Sequence, residues 1–90
     1  MMQYGVIAFA STHCAIQTEK YLKTRFSIMI MPTPRSISAS CGISVRFLPA
    51  DLDGITAALG QLTMDHALYS IYRIDADGHA EQVDCGLGIN

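Results

Sequence analysis

The residues best suited to chemistry lie in one stretch, Pro32-Thr33-Pro34-Arg35-Ser36-Ile37-Ser38-Ala39-Ser40-Cys41-Gly42. Two prolines stiffen its start, because each locks φ and withholds a donor. Thr33 precedes Pro34 and is pushed toward extended backbone. An arginine, three serines, a cysteine and a glycine follow. A nucleophilic or carrier cysteine works as the thiolate. Nearby cations, helix N-termini and hydrogen-bond donors lower its pKa from about 8.5. Arg35 offers a permanent charge on a planar set of donors. Ser36, Ser38, Ser40 and the Gly42 amide offer neutral donors. Gly42 also leaves space beside the sulfur for a bulky partner. The bland alternative is an inert, buried Cys41 packed as a small hydrophobe at the start of a strand. The grouping of Arg35 with three serines favours the reactive reading.

The same residues carry a resemblance. Ser11-Thr12-His13 follows one short strand, Pro32-Thr33-Pro34-Arg35 follows a second, and Ser40-Cys41-Gly42 precedes a third. This arrangement resembles the small selenium/sulfur carrier protein-like family. The similarity runs from about Tyr4 to Ile74, and Pro34 to Gly42 is its most specific part. The resemblance implies a sulfur or selenium carrier with Cys41 as the carrier cysteine. It also implies two partners, a donor enzyme and an acceptor protein. The tail from Asp75 to Asn90 lies outside the matched pattern, and so do Cys14 and Cys85.

Ninety residues, half of them hydrophobic, predict one domain over residues 1–90 with one layer of helices on one sheet. A chain this short buries a limited share of its surface, so self-association can add stability. The net charge of −2 and six scattered basic residues give no support for nucleic-acid binding. No apolar run approaches the ~18 residues of a membrane span. The N-terminus lacks a basic region followed by a long apolar core, which predicts no secretory signal. Three cysteines at irregular spacing argue against a disulfide framework and for a reducing, cytoplasmic setting.

The elements that must position the motif follow from periodicity. Tyr4 to Ala10 is a short apolar run, read as a central strand buried on both faces. Ser11-Thr12 is a helix start, and the first helix is predicted from about Thr12 to Thr24. Phe26 to Met31 is a second strand, closed by Pro32. Ile43-Ser44-Val45-Arg46-Phe47 alternates and is a third. Leu52, Ile55, Leu59 and Leu62 form a helical stripe, predicting a second helix from about Asp51 to Thr63. Tyr69 to Ile74 is a fourth strand. Asp75-Ala76-Asp77-Gly78 is a turn signal. Ala80 to Asp84 can pair back as a short edge strand, while residues 75–90 as a whole are expected to be a loosely attached tail.

The element order β-α-β-β-α-β predicts an α+β ferredoxin-like sandwich, its antiparallel sheet ordered 4-1-3-2 with both helices on one face. The alternative is a small open α/β sheet with strands 1 and 2 adjacent. The other face of the sheet is expected to lie open. Together with the apolar second strand at an edge, that predicts a homodimer.

In this fold the end of strand 1, the first helix N-terminus, the strand 2–3 loop and the loop from the second helix to strand 4 share one end of the sheet. That end collects Ser11, Thr12, His13 and Cys14, then Arg35 to Cys41, then Asp65 and His66. The helix N-terminus favours a thiolate, a persulfide or an oxyanion. The expected site has Cys41, to which the resemblance assigns the chalcogen-carrier role, and Arg35 as thiolate stabiliser. Ser11, Thr12, His13, Pro34, Ser38, Ser40 and Gly42 are the expected binding residues. His13 is read as an exposed helix residue first and as a thiolate partner second. Cys14 is read as core-facing first and as a resolving thiol second. No C-x-x-C or H-x-x-x-H spacing supports a metal site, and no cofactor is implied.

Two functions from different classes follow. The first is a sulfur/selenium carrier rather than an independent enzyme. It holds the chalcogen on Cys41 as a persulfide or selenopersulfide. The second is a module that binds a small anion or a protein, with Cys41 structural. A thiol-dependent hydrolase or transferase ranks third, because no oriented base and third group can be read.

Overall fold

The structure, a computed structural model, describes residues 2–37, 42–61 and 69–83. Five strands and two helices alternate in the order β1 (Met2–Phe9), α1 (Thr12–Leu22), β2 (Ile28–Pro32), β3 (Ile43–Phe47), α2 (Leu52–Gln61), β4 (Tyr69–Asp75) and β5 (Ala80–Val83). A 3-10 turn at Pro49–Asp51 leads into α2. The strands form one sheet in the order β2-β3-β1-β4-β5, and every neighbouring pair is antiparallel.

The architecture is therefore α+β, with a five-strand sheet in place of the expected four. Read from its other edge the order is 5-4-1-3-2, so the order 4-1-3-2 must be extended by β5 outside β4. The reason is the Asp75–Gly78 turn. Gly78 adopts φ 86°, a left-handed conformation that costs glycine little. Its N–H bonds Asp75 O at 3.0 Å. Residues 80–83 then return along β4. The expected loose tail is thus corrected over Asp75–Val83, which are part of the sheet. Residues 84–90, including Cys85, lie outside the described residues.

The core lies between the sheet and both helices. Ile7, Phe9, Val45, Phe47 and Ile71 pack with Cys14, Ala15 and Leu22 of α1 and Ile55, Ala58 and Leu59 of α2. Both helices thus cover the same face. Gly5 lies under the Phe47 ring, in the space where a Cβ would stand. β1 occupies the middle of the sheet, and its residues Gly5 to Phe9 are buried on both sides, as the apolar run predicts. The first helix ends at Leu22, two residues before the predicted end. Lys23 to Arg25 form a turn instead, with Phe26 N–H bonded to Leu22 O at 2.8 Å.

The second face is not open. Val6, Ala8 and Ile74 are buried there beneath Ile37, which is only 5% exposed. Tyr4, Met31, Tyr72 and Ala80 pack around this cluster. The first part of the β2–β3 connection, Thr33 to Ile37, folds over the face opposite the helices and plugs it with one isoleucine. The expectation that this face lies open is corrected accordingly.

Candidate functional site

The loop that carries Cys41 begins and ends at a fixed neck. Thr33 N–H bonds Gly42 O at 2.9 Å. The Thr33 and Ser44 hydroxyls hydrogen-bond at 2.7 Å, which gives the fully buried Ser44 a polar partner. Gly42 is exposed and has open space where a Cβ would stand. Cys41, directly before it, lies outside the described residues with Ser38 and Ser40, as do Asp65 and His66.

The register shows what else shares this end of the sheet. Ala8 pairs with Ser44, Pro32 with Ile43, and Phe9 with Tyr69. The end of β1, the end of β2, the start of β3 and the start of β4 therefore lie side by side. α1 starts three residues after β1, so its N-terminus and Gly42 share that end. Ser11 caps the helix from an extended backbone, and its Oγ accepts Cys14 N–H at 3.2 Å. A hydroxyl used as acceptor keeps its own O–H to donate. Ser11, Thr12 and His13 are exposed. Cys14 is buried in the core and is a free thiol, in line with its core-facing reading.

Arg35 is placed differently from Gly42. Ile37 N–H bonds Pro34 O at 3.0 Å, closing a turn with Arg35 and Ser36 at its tip. Both are exposed. Ser36 Oγ makes a long 3.4 Å contact to Gly78 O. Gly78 follows the end of β4, and Asp75 there pairs with Met2, at the far end of the sheet from Gly42. The turn thus carries Arg35 and Ser36 down the face, away from the neck.

Two features of the far end have no counterpart in the sequence reading. A cleft of about 540 Å³ opens there between Tyr4, Arg46 and the Asp75–Gly78 turn. The Arg46 guanidinium lies over the Tyr4 ring, 4.6 Å from its centroid. In the turn, Asp75, Asp77 and His79 bring one ligand atom each within 4.8 Å of one another. Asp75 Oδ1 already accepts Asp77 N–H at 2.9 Å and His79 N–H at 3.0 Å. These bonds, the His79 bond foremost, hold the Asp75 carboxyl below its ordinary value of 3.8. Turn geometry therefore accounts for the cluster. The i, i+2, i+4 spacing of its members is its sequence signal. Among the described residues, no helix is long and apolar enough to cross a membrane.

A search of curated proteins and a search of solved structures each return no match. A family model described as "putative Se/S carrier protein-like" matches residues 4–66, which run from β1 past α2 and include the whole Pro32–Gly42 loop. That span is more than half of the chain, and the chain belongs to the Se/S carrier protein-like family.

Proposed function

We propose that this protein is a sulfur or selenium carrier that holds the chalcogen on Cys41 and passes it to an acceptor protein. The observation that carries the reading is the neck. Gly42, one residue from Cys41, is fixed by Thr33 at the end of the sheet where α1 begins. A helix N-terminus presents N–H groups and a positive dipole end, which favour a thiolate and a persulfide. Ser11 and His13 lie in the same first turn as exposed polar groups. The order of the first four strands fits a ferredoxin-like βαββαβ core to which β5 is added.

The transfer is redox-neutral. The Cys41 thiolate attacks the outer sulfur of a donor persulfide. The donor S–S bond breaks, the donor thiolate leaves, and Cys41 keeps the outer sulfur as a persulfide. An acceptor thiolate then repeats the attack on that sulfur and releases the Cys41 thiolate. The selenium version has the same balance. No metal, cofactor or acid–base network is needed, so the protein acts as a carrier and not as an independent catalyst. The reducing cytoplasm is the compartment that keeps such a thiol free. Arg35 serves as a thiolate-stabilising cation, secondary to the helix terminus because its turn is held toward the far end of the sheet. Thr12, Pro34, Ser38 and Ser40 complete the binding surface.

The test is iodoacetamide labelling against pH, read peptide by peptide. Cys41 is expected to label faster at neutral pH than Cys85, and faster still than buried Cys14. Arg35→Ala is expected to move the Cys41 profile to higher pH with the fold unchanged. If Cys41 labels no faster than Cys85, the activated thiolate is refuted and the anion- or protein-binding module replaces it.

A further inference from the structure

We propose that the free edge of β2 pairs with the β2 edge of a second copy, antiparallel and centred on Ile30, so that two five-strand sheets join into one. The hydrogen-bond phase of the β2–β3 ladder leads to this. Opposed residues in an antiparallel pair alternate between bonded and non-bonded positions. Thr33 N–H bonds Gly42 O, so Thr33 and Gly42 form a bonded pair. Met31–Ser44 and Met29–Arg46 continue that phase without a register shift. The N–H and C=O groups of Ile28 and Ile30 therefore point away from β3. Among the described residues nothing pairs with them, because β2 is the last strand on its side.

Proline fits the same phase. Pro32 pairs with Ile43 at a position whose nitrogen points to the free edge, so its missing donor costs the sheet no bond. In the proposed pairing, Ile30 exchanges two bonds with Ile30 of the second copy. Each Ile28 N–H reaches Pro32 O of the other copy. The only bonds lost are those that Pro32 cannot donate.

Side chains make the edge self-complementary. β2 carries no charge, so a two-fold axis sets no like charges against each other. Ile30 meets Ile30 on the helix side, and Met29 meets Met31 on the loop side. Ile30 is 45% exposed and Met29 56%. Among the described residues the exposed large hydrophobics are Ile16, Met29, Ile30 and Leu48; two of them lie on β2, and Leu48 follows β3 opposite the start of β2. The opposite edge differs. β5 has four residues and carries Glu81, ion-paired to Arg73 at 3.0 Å, and a charge protects an edge from pairing. The proposal is independent of the carrier reading, since Cys41 takes no part in it.

Sedimentation of the full chain at tens of micromolar is the first test, and it is expected to show a dimer. Ile30→Lys places two like charges at the centre of the pairing and is expected to give a monomer with an unchanged circular dichroism spectrum. Glu81→Lys on β5 is expected to leave the dimer intact. Should Ile30→Lys fail to fold, Met29→Cys with Met31→Cys gives a second reading. Each engineered cysteine then faces the other across the axis at a non-bonded pair, and mild oxidation should yield a covalent dimer through these two positions. A wild-type monomer at these concentrations overturns the proposal and leaves the edge to a strand of another protein. A folded Ile30→Lys dimer, or no cross-link between positions 29 and 31, also overturns it.

Discussion

Replacing Ile37 with alanine removes three carbons from a side chain that is 5% exposed and seated on Val6, Ala8 and Ile74. At about 0.8 kcal/mol per buried carbon the lost transfer energy is about 2.4 kcal/mol. A cavity adds to this if the loop cannot settle, so a loss of about 2–3 kcal/mol is expected. For a domain of this size that corresponds to a fall in Tm of about 10–20 °C. The chain has no tryptophan, so far-UV circular dichroism against urea is the suitable assay. The midpoint should fall by about 2 M with an unchanged slope. Amide exchange gives a local reading. The Thr33 N–H, bonded across the neck to Gly42 O, should exchange faster once Ile37 no longer pins the loop. A loss below about 0.5 kcal/mol, typical of a surface substitution, would mean that the loop does not rest on the sheet and that the second face is open after all.

Gly5→Ala should cost about 1–3 kcal/mol, because its Cβ enters the space of the Phe47 ring. Adding Phe47→Leu should recover part of that loss in a urea titration, since neighbouring sites couple. The Asp75 carboxyl is held below its ordinary value mainly by the His79 N–H, with Asp77 N–H and nearby His79 adding to it. A lowered folded pKa gives stability that is present above the unfolded pKa and lost as pH falls through the folded one. The β4–β5 turn should therefore weaken below about pH 4. Asp75→Asn should flatten that part of the pH–stability curve, and an unchanged curve would count against the turn bonds.

The sheet was legible because its strands carry strong local signals. β3 alternates cleanly, and β1 is a short apolar run that only a central strand can bury on both faces. The Asp75–Gly78 signal marked the turn that returns the chain as β5. Other features left no periodic trace. Ile37 is one apolar residue in a polar loop, so nothing in its spacing announced that it covers the second face. Arg35 looked close to Cys41 in sequence. Its position depends on the Pro34–Ile37 turn and on where Ile37 docks, and both are tertiary. That the end of β1, the end of β2 and the start of β3 adjoin did follow from element order, because antiparallel pairing dictates which strand ends lie together.

The carrier account is tested most directly by loading the thiol. The protein is incubated with a cysteine desulfurase and cysteine, then analysed by intact and peptide mass spectrometry without reductant. The account predicts a gain of one sulfur atom on the Cys41 peptide, absent in Cys41→Ser and retained in Cys14→Ser and Cys85→Ser. A thiol acceptor should remove the added sulfur. If no sulfur is gained, or if it is found equally on Cys85, Cys41 is not the carrier cysteine.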